Sequence, residues 1–108
     1  MAGAAVIIAK ADGTSKKEID TLGKKVAKLT SACIYNWVQI VDVISIAGNL
    51  KEAIEKVEEL AEARKINYLV IATKKDIANN EAEYNELFEQ LLSGYGVRII
   101  LIKWILGK

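Results

Sequence analysis

The sequence lacks histidine and proline and contains a single cysteine, and these absences exclude several kinds of chemistry. Without histidine the chain cannot form a Ser-His-Asp triad, a Cys-His dyad or a histidine-ligated zinc site. Cys33 alone cannot form an internal disulfide or a cysteine-rich metal site, and we interpret it as a small core hydrophobe between a helix and a strand. The absence of proline is typical of a chain made almost wholly of regular elements.

Long apolar runs and an excess of one charge are also missing. No run reaches the roughly 18 residues of a membrane span, and the N-terminal MAGAAVIIAKADG lacks the basic start of a signal peptide. We therefore expect a cytoplasmic protein with no membrane contact. The 15 basic and 14 acidic residues nearly cancel, so a nucleic acid would have to be bound by a local patch.

The 108 residues instead show a regular alternation of strand and helix within one domain, 1–108. Apolar runs rich in β-branched residues predict strands at 4–9, 36–48, 67–72 and 97–106. Strands that are apolar throughout and separated by helices indicate a parallel sheet covered on both faces. We predict an α/β three-layer sandwich, flavodoxin-like or Rossmann-like, with a four-stranded parallel sheet in the order 2-1-3-4.

Capping residues and apolar stripes mark the helices between these strands. The predicted capping pairs are Ser15 with Glu18, Asn49 with Glu52, and Asn80 with Glu83. The first helix has a core stripe at helical spacing, formed by Ile19, Leu22, Val26 and Leu29. Trp37, at the start of the second strand, is expected to pack in the core or at the sheet edge.

Polar segments follow three of the predicted strands, where ligands bind in open parallel sheets. These segments are Lys10 to Ser15, Ser45 to Asn49, and Thr73 to Asn80. A small-ligand or nucleotide site in this crevice would use residues from the first and last segments. The candidates are Asp12, Gly13, Thr14, Ser15, Thr73, Lys74 and Asp76.

The stretch VIATKKD favours one version of that site, because it is similar to the guanine-recognition motif [NT]-K-x-D of GTPases. Asp76 would accept hydrogen bonds from the base and Lys74 would pack along its ring. A GTPase also needs a phosphate loop after the first strand. The corresponding AKADGTSKK has one glycine and the wrong order.

A carboxylate site for a divalent metal is a third interpretation. Asp12 and Asp76 fall at the crevice and Asp42 on the second strand, and grouped carboxylates hold Mg²⁺ for phosphoryl chemistry. Lysines at the same rim, Lys10, Lys74 and Lys75, would account for the aspartates by ion pairing. We expect neither a metal nor a cofactor.

The order of elements and several segments resemble the N-terminal catalytic domain of serine recombinases, the resolvase/invertase family. IAKADG lies where that family has Y-[AG]-R-V-S-[ST], and VDVISIAGN follows the second strand as a D-x-x-S-G-like turn does. TKKDIANN lies where the family has S-L-D-R-L-A-R-N. LLSGYGVRIILI is similar to the closing L-x-x-x-G-V-x-[IV] segment.

The resemblance implies a nucleophilic serine and clustered arginines that neutralise a DNA phosphate. This sequence has other residues at those positions: Lys10, Asp12, Lys75, Asp76 and Asn79. We therefore expect serine recombinase chemistry to be lost and the domain to be non-catalytic. It would self-associate and act through protein or DNA contacts, as an accessory of a mobile element would.

Two surfaces are the candidates for those contacts. A basic face of the first helix suits DNA phosphates, and its residues are Lys17, Lys24, Lys25 and Lys28. The apolar end of the chain suits a homodimer interface, with Trp104 as the anchor beside Ile105 and Leu106.

Overall fold

The computed structural model describes residues 3–11, 13, 15–46 and 50–102. The elements in these ranges are β1 (Gly3–Lys10), α1 (Lys16–Tyr35), β2 (Val38–Ile46), α2 (Leu50–Glu62), β3 (Tyr68–Ile71), a 3-10 turn (Lys74–Asp76), α3 (Glu81–Tyr95) and β4 (Arg98–Leu101). None of the helices in these ranges is long and apolar enough to cross a membrane.

The four strands form one parallel sheet in the order β2-β1-β3-β4. The predicted fold class and strand order are therefore confirmed. β1 lies inside the sheet, and the side chains from Ala5 to Ala9 have no exposed surface. A strand buried on both faces must be apolar at every position, which explains the uninterrupted run AAVIIA.

Helices cover both faces of the sheet and produce two separate cores. Leu22, Leu29 and Cys33 of α1 pack with the odd-numbered residues of β1. Val57 of α2 and Leu91 of α3 pack with the even-numbered residues on the opposite face. The carboxyl ends of β1 and β3 thus lie side by side between these layers, since the two strands are paired in parallel.

β2 contributes to both cores because it contains a β-bulge. Ala5 pairs with Ile40 and Val6 pairs with Asp42, so Val41 has no partner in the register with β1. Ile40 consequently packs on the α1 side, whereas Ile44 packs on the α2 and α3 side. An extra residue changes the face to which the following side chains point.

Three sequence predictions about the elements were wrong in detail. α1 continues through Tyr35, so Cys33 lies within the helix rather than after it. Ile19 is 43% exposed and does not belong to the core stripe. β4 ends at Leu101, although the apolar run had predicted a strand through 106. Hydrophobicity alone was a poor guide to the ends of α1 and β4, because the end of an element is set by its backbone geometry.

Candidate functional site

A buried carboxylate joins three elements at the carboxyl end of the central strands. Asp76 is 1% exposed. Its Oδ1 accepts hydrogen bonds from the backbone N–H of Lys10 at 2.9 Å and from Lys25 Nζ at 2.9 Å. Its Oδ2 accepts from the backbone N–H of Thr73 at 2.9 Å and from the Thr73 hydroxyl at 3.2 Å. We call these four residues the Asp76 clasp.

Lys25 reaches the clasp from the middle of α1. Its ammonium group also donates to the carbonyl oxygen of Lys10 at 3.1 Å. The end of β1 is therefore held on both its N–H and its C=O, by the carboxylate and by the lysine. A buried charge is tolerated when it is paired and hydrogen-bonded, and the clasp meets both conditions.

The local sequence explains the position of the carboxylate. Thr73 has an extended backbone, φ −140° and ψ 161°, and precedes the 3-10 turn that contains Asp76. The spacing T-x-x-D lets the aspartate side chain bond back to the N–H at the start of the turn, as in a capping box. The T-x-x-D spacing is visible in the sequence and indicates the bonds between Thr73 and Asp76.

The clasp changes the interpretation of the TKKD motif. Both carboxylate oxygens of Asp76 are bonded within the protein, so the side chain does not face a base or a phosphate. Its ion-pair partner is Lys25, and the prediction that rim lysines pair with this aspartate was wrong. Lys74 instead forms an ion pair with Glu81 at 2.7 Å, and this bond raises the pKa of the lysine. The Lys74 ammonium also lies 4.8 Å from the centre of the Tyr84 ring.

The other residues predicted for a ligand site have structural partners or lie outside the described residues. Ser15 caps α1, with its Oγ accepting from the backbone N–H of Glu18 at 3.2 Å. A Cβ at Gly13 would collide with the carboxylate of Glu18. Asp12 and Thr14 lie outside the described residues.

The predicted crevice is present as two clefts, and clasp residues contribute to each. One, of about 540 Å³, lies beyond the ends of β3 and β4 and is lined by Thr73, Lys74, Lys75, Asn79 and Asn80 among others. The second, of about 330 Å³, lies beside the end of β1 and is lined mainly by Lys10, Lys17, Glu18, Thr21 and Lys25. Of the residues predicted for a ligand site, Thr73 and Lys74 line the first cleft, whereas Gly13, Ser15 and Asp76 line neither.

The carboxylate metal site stays a prediction, because Asp12 lies outside the described residues. Those residues contain no group of three Asp, Glu, Cys or His side chains that could hold a metal ion. Asp42 accepts a hydrogen bond from the N–H of Val43 at 2.8 Å.

The basic face of α1 has three exposed members and one that is partly buried. Lys17, Lys24 and Lys28 are exposed, whereas the Lys25 side chain is 24% exposed and bonded to Asp76. Lys25 therefore belongs to the clasp rather than to the surface. We call the other three the lysine face.

Trp104, Ile105 and Leu106 lie outside the described residues, so the predicted interface stays a prediction. A different apolar surface lies at the opposite edge of the sheet, next to β2. Trp37 is 86% exposed there, so of its two expected placements the core is wrong. It follows the end of α1 and adopts a left-handed backbone with φ 62°.

The arrangement of four parallel strands and covering helices is the fold of serine recombinase catalytic domains. One solved structure with this fold is the C-terminal catalytic domain of ISC1926 TnpA, an IS607-like serine recombinase. It has a TM-score of 0.76 and 24% identity over 92% of this chain and 68% of its own. Another is a resolvase family site-specific recombinase from Streptococcus pneumoniae, with a TM-score of 0.80 and 15% identity over 93% of this chain and 72% of its own.

The structural similarity confirms the resemblance at the level of the fold. No protein-family model matches the sequence, and no curated protein matches it significantly.

Proposed function

We propose that this chain is a non-catalytic, self-associating domain of the resolvase type that acts through DNA or protein contacts, as an accessory of a mobile element would. The Asp76 clasp is the observation that carries the proposal. Phosphoryl transfer requires cationic groups aimed at the reacting phosphate. The loop after β3 resembles the arginine-bearing loop of recombinases. In this loop the buried carboxylate of Asp76 instead forms an ion pair with Lys25 and neutralises its charge.

The absence of strand-transfer chemistry is tested with DNA directly. Supercoiled plasmid incubated with the purified protein should stay supercoiled, and no covalent protein–DNA adduct should form. Nicking that co-purifies with the protein, or an adduct that survives denaturation, would contradict the non-catalytic assignment. A plasmid incubated with a nicking enzyme provides the positive control.

The DNA contact is assigned to the lysine face. Three exposed ammonium groups on one helix can approach successive phosphates, and each neutralised phosphate releases counterions. We expect weak binding to random duplex DNA in fluorescence anisotropy. With three contacts the logarithm of the binding constant should fall with the logarithm of salt concentration by a slope of about 2.7.

A matched pair of variants tests this assignment. Changing Lys17, Lys24 and Lys28 together to Gln should abolish binding and remove the salt dependence. Changing three exposed basic residues elsewhere should leave binding nearly intact, although the net charge changes equally. The control residues are Lys56, Lys65 and Arg98. Equal loss in both variants would mean that net charge, not the lysine face, determines binding.

A small ligand in the cleft beyond β3 and β4 is the second candidate. The cleft, of about 540 Å³, brings together two lysines and two asparagines at the end of the sheet where parallel α/β folds bind ligands. A panel of nucleotides should then raise the Tm of the protein, and Lys75→Ala should reduce that rise. No shift at millimolar nucleotide would exclude nucleotides from this cleft.

A further inference from the structure

The end of α1 and the start of β2 form an exposed apolar corner. Ile34 is 66% exposed, and Tyr35 and Trp37 are each 86% exposed. We call these three residues the α1–β2 corner. Scattered apolar side chains on a surface are normal, but three within four positions form a patch that marks an interaction site.

The backbone of Trp37 makes the corner costly for a monomer. Its φ of 62° is in the left-handed region, which is unfavourable for a bulky side chain and easy for glycine. The position thus carries both conformational strain and an almost fully solvated indole. Such strain persists where the surrounding structure or function requires the side chain.

A recess lies directly beside this protrusion. A shallow groove of about 530 Å³ is lined by Ile34, Trp37, Val38, Gln39 and Ile40. An interface between two identical copies related by a two-fold axis is self-complementary, so a protrusion must lie beside the recess that receives it. The corner and the groove satisfy this requirement on one surface.

The charge pattern also suits a second copy of this chain. Residues 29–41 contain no Asp, Glu, Lys or Arg, although 27% of the whole chain is charged. In a two-fold interface the central groups of one copy meet the same groups of the other, so any charge there would face its like. Depletion of charge at the centre is also typical of protein interfaces.

We propose that the α1–β2 corner is the surface through which two copies of this chain associate, with Trp37 and Tyr35 of each copy seated in the groove of the other. This inference rests on the self-association in the proposed function and gives it a location different from the C-terminal tail. The bulge at Val41 disrupts the outer strand above the corner, so the contact is made by side chains rather than by extension of the sheet.

The surface area that two copies can bury at the corner determines how tightly the dimer is expected to bind. An exposed aromatic side chain presents roughly 150–250 Å², so two aromatic residues at 86% exposure and Ile34 at 66% supply roughly 400–550 Å² per copy. Two copies together bury roughly 800–1,100 Å², which is just below the lower end of stable specific interfaces, about 1,200 Å². The dimer is therefore weak and dissociates in the range of about 1–100 µM.

Sedimentation velocity across this concentration range tests the proposal. Trp37→Gly should weaken the dimer at least about tenfold, as expected for an aromatic anchor. Because glycine adopts φ 62° without strain, the Tm of the dilute monomer should stay the same or rise. Tyr95→Ser, which alters an exposed aromatic residue at the end of α3, is the matched control and should leave the dimer unchanged.

The outcomes separate this inference from the proposed function. A dimer lost in Trp104→Asp but retained in both Trp37→Gly and Tyr35→Ser would overturn the corner and keep self-association. A wild-type chain that stays monomeric at several hundred micromolar would overturn both.

Tryptophan fluorescence provides a second test. In a Trp104→Phe background Trp37 is the remaining tryptophan, and its emission should move to shorter wavelength as the protein concentration rises. An unchanged emission in a dimerising sample would also overturn the corner.

Discussion

Lys25 Nζ lies 2.9 Å from Oδ1 of Asp76, and this ion pair links the middle of α1 to the loop after β3 across 51 positions of sequence. The same carboxylate bonds the last residue of β1. The clasp therefore fastens one covering helix to the carboxyl ends of the two central strands.

Removing the carboxylate should destabilise the fold. Asp76→Ala leaves Lys25 and three other donors without their acceptor, which in a buried pair costs several kcal/mol. Because Lys25 is 24% exposed and regains water, we expect a loss of roughly 2–3 kcal/mol in the free energy of unfolding, measured with urea. Asp20→Ala on the exposed side of α1 should change it by less than about 0.5 kcal/mol. A similar small change for Asp76→Ala would contradict the structural role of the clasp.

Adjacent lysines on α1 should behave differently. Lys25→Met should lower the free energy of unfolding by roughly 1–2 kcal/mol, whereas Lys24→Met should change it by less than about 0.5 kcal/mol. A double-mutant cycle of Lys25→Met with Asp76→Asn should give a coupling of at least about 1 kcal/mol. Additive effects would show that the pair contributes nothing to stability.

Alkaline pH should weaken the fold through two buried groups. Burial raises the pKa of the Cys33 thiol above its usual 9.0 and the pKa of the Tyr84 hydroxyl above its usual 10.0. Well below pH 9 both groups are protonated in the native and unfolded states, so their contribution to stability is constant there. As pH rises further, the unfolded chain loses these protons first, and the native state becomes less stable.

The Cys33 share of this effect can be isolated. In Cys33→Ala the free energy of unfolding should begin to decline near pH 10 instead of pH 9. Between pH 9 and pH 10 its slope should be smaller than in the wild-type protein by up to about 1.4 kcal/mol per pH unit. Urea unfolding at fixed pH steps measures this, with each protein compared with its own value at pH 7.5. Identical slopes for both proteins would mean that the thiol titrates equally in both states.

Sequence patterns predicted the layers of this fold because the apolar runs of β1 and β3 are buried on both faces of the sheet. They also predicted the cap at Ser15, which depends on a residue only three positions away. The Lys25 half of the clasp was not predictable in the same way. On α1 Lys25 has the same charge and nearly the same neighbours as Lys24, and only tertiary packing distinguishes them.

The same limit applies to Trp37, for which the sequence left both the core and the sheet edge open. An aromatic residue before a strand is normally buried, and nothing in the local pattern indicates a left-handed backbone that directs it to solvent. The residues of the TKKD motif were likewise assigned to a nucleotide site from their residue types alone. In the structure the Asp76 carboxylate instead accepts a hydrogen bond from the backbone N–H of Thr73, at the start of the 3-10 turn.

The bulge at Val41 has a consequence for the length of β2. The residues on either side of it pair with β1 as if it were not there, since Ala5 meets Ile40 and Val6 meets Asp42. Loss of this residue would therefore leave every neighbouring side chain of β2 in its present layer. A deletion two positions later would keep Ile44 and Ile46 in their core only by removing the bulge, and Asp42 would then point to the α1 layer. Position 41 is thus the place where loss of one residue is expected to leave both hydrophobic layers unchanged.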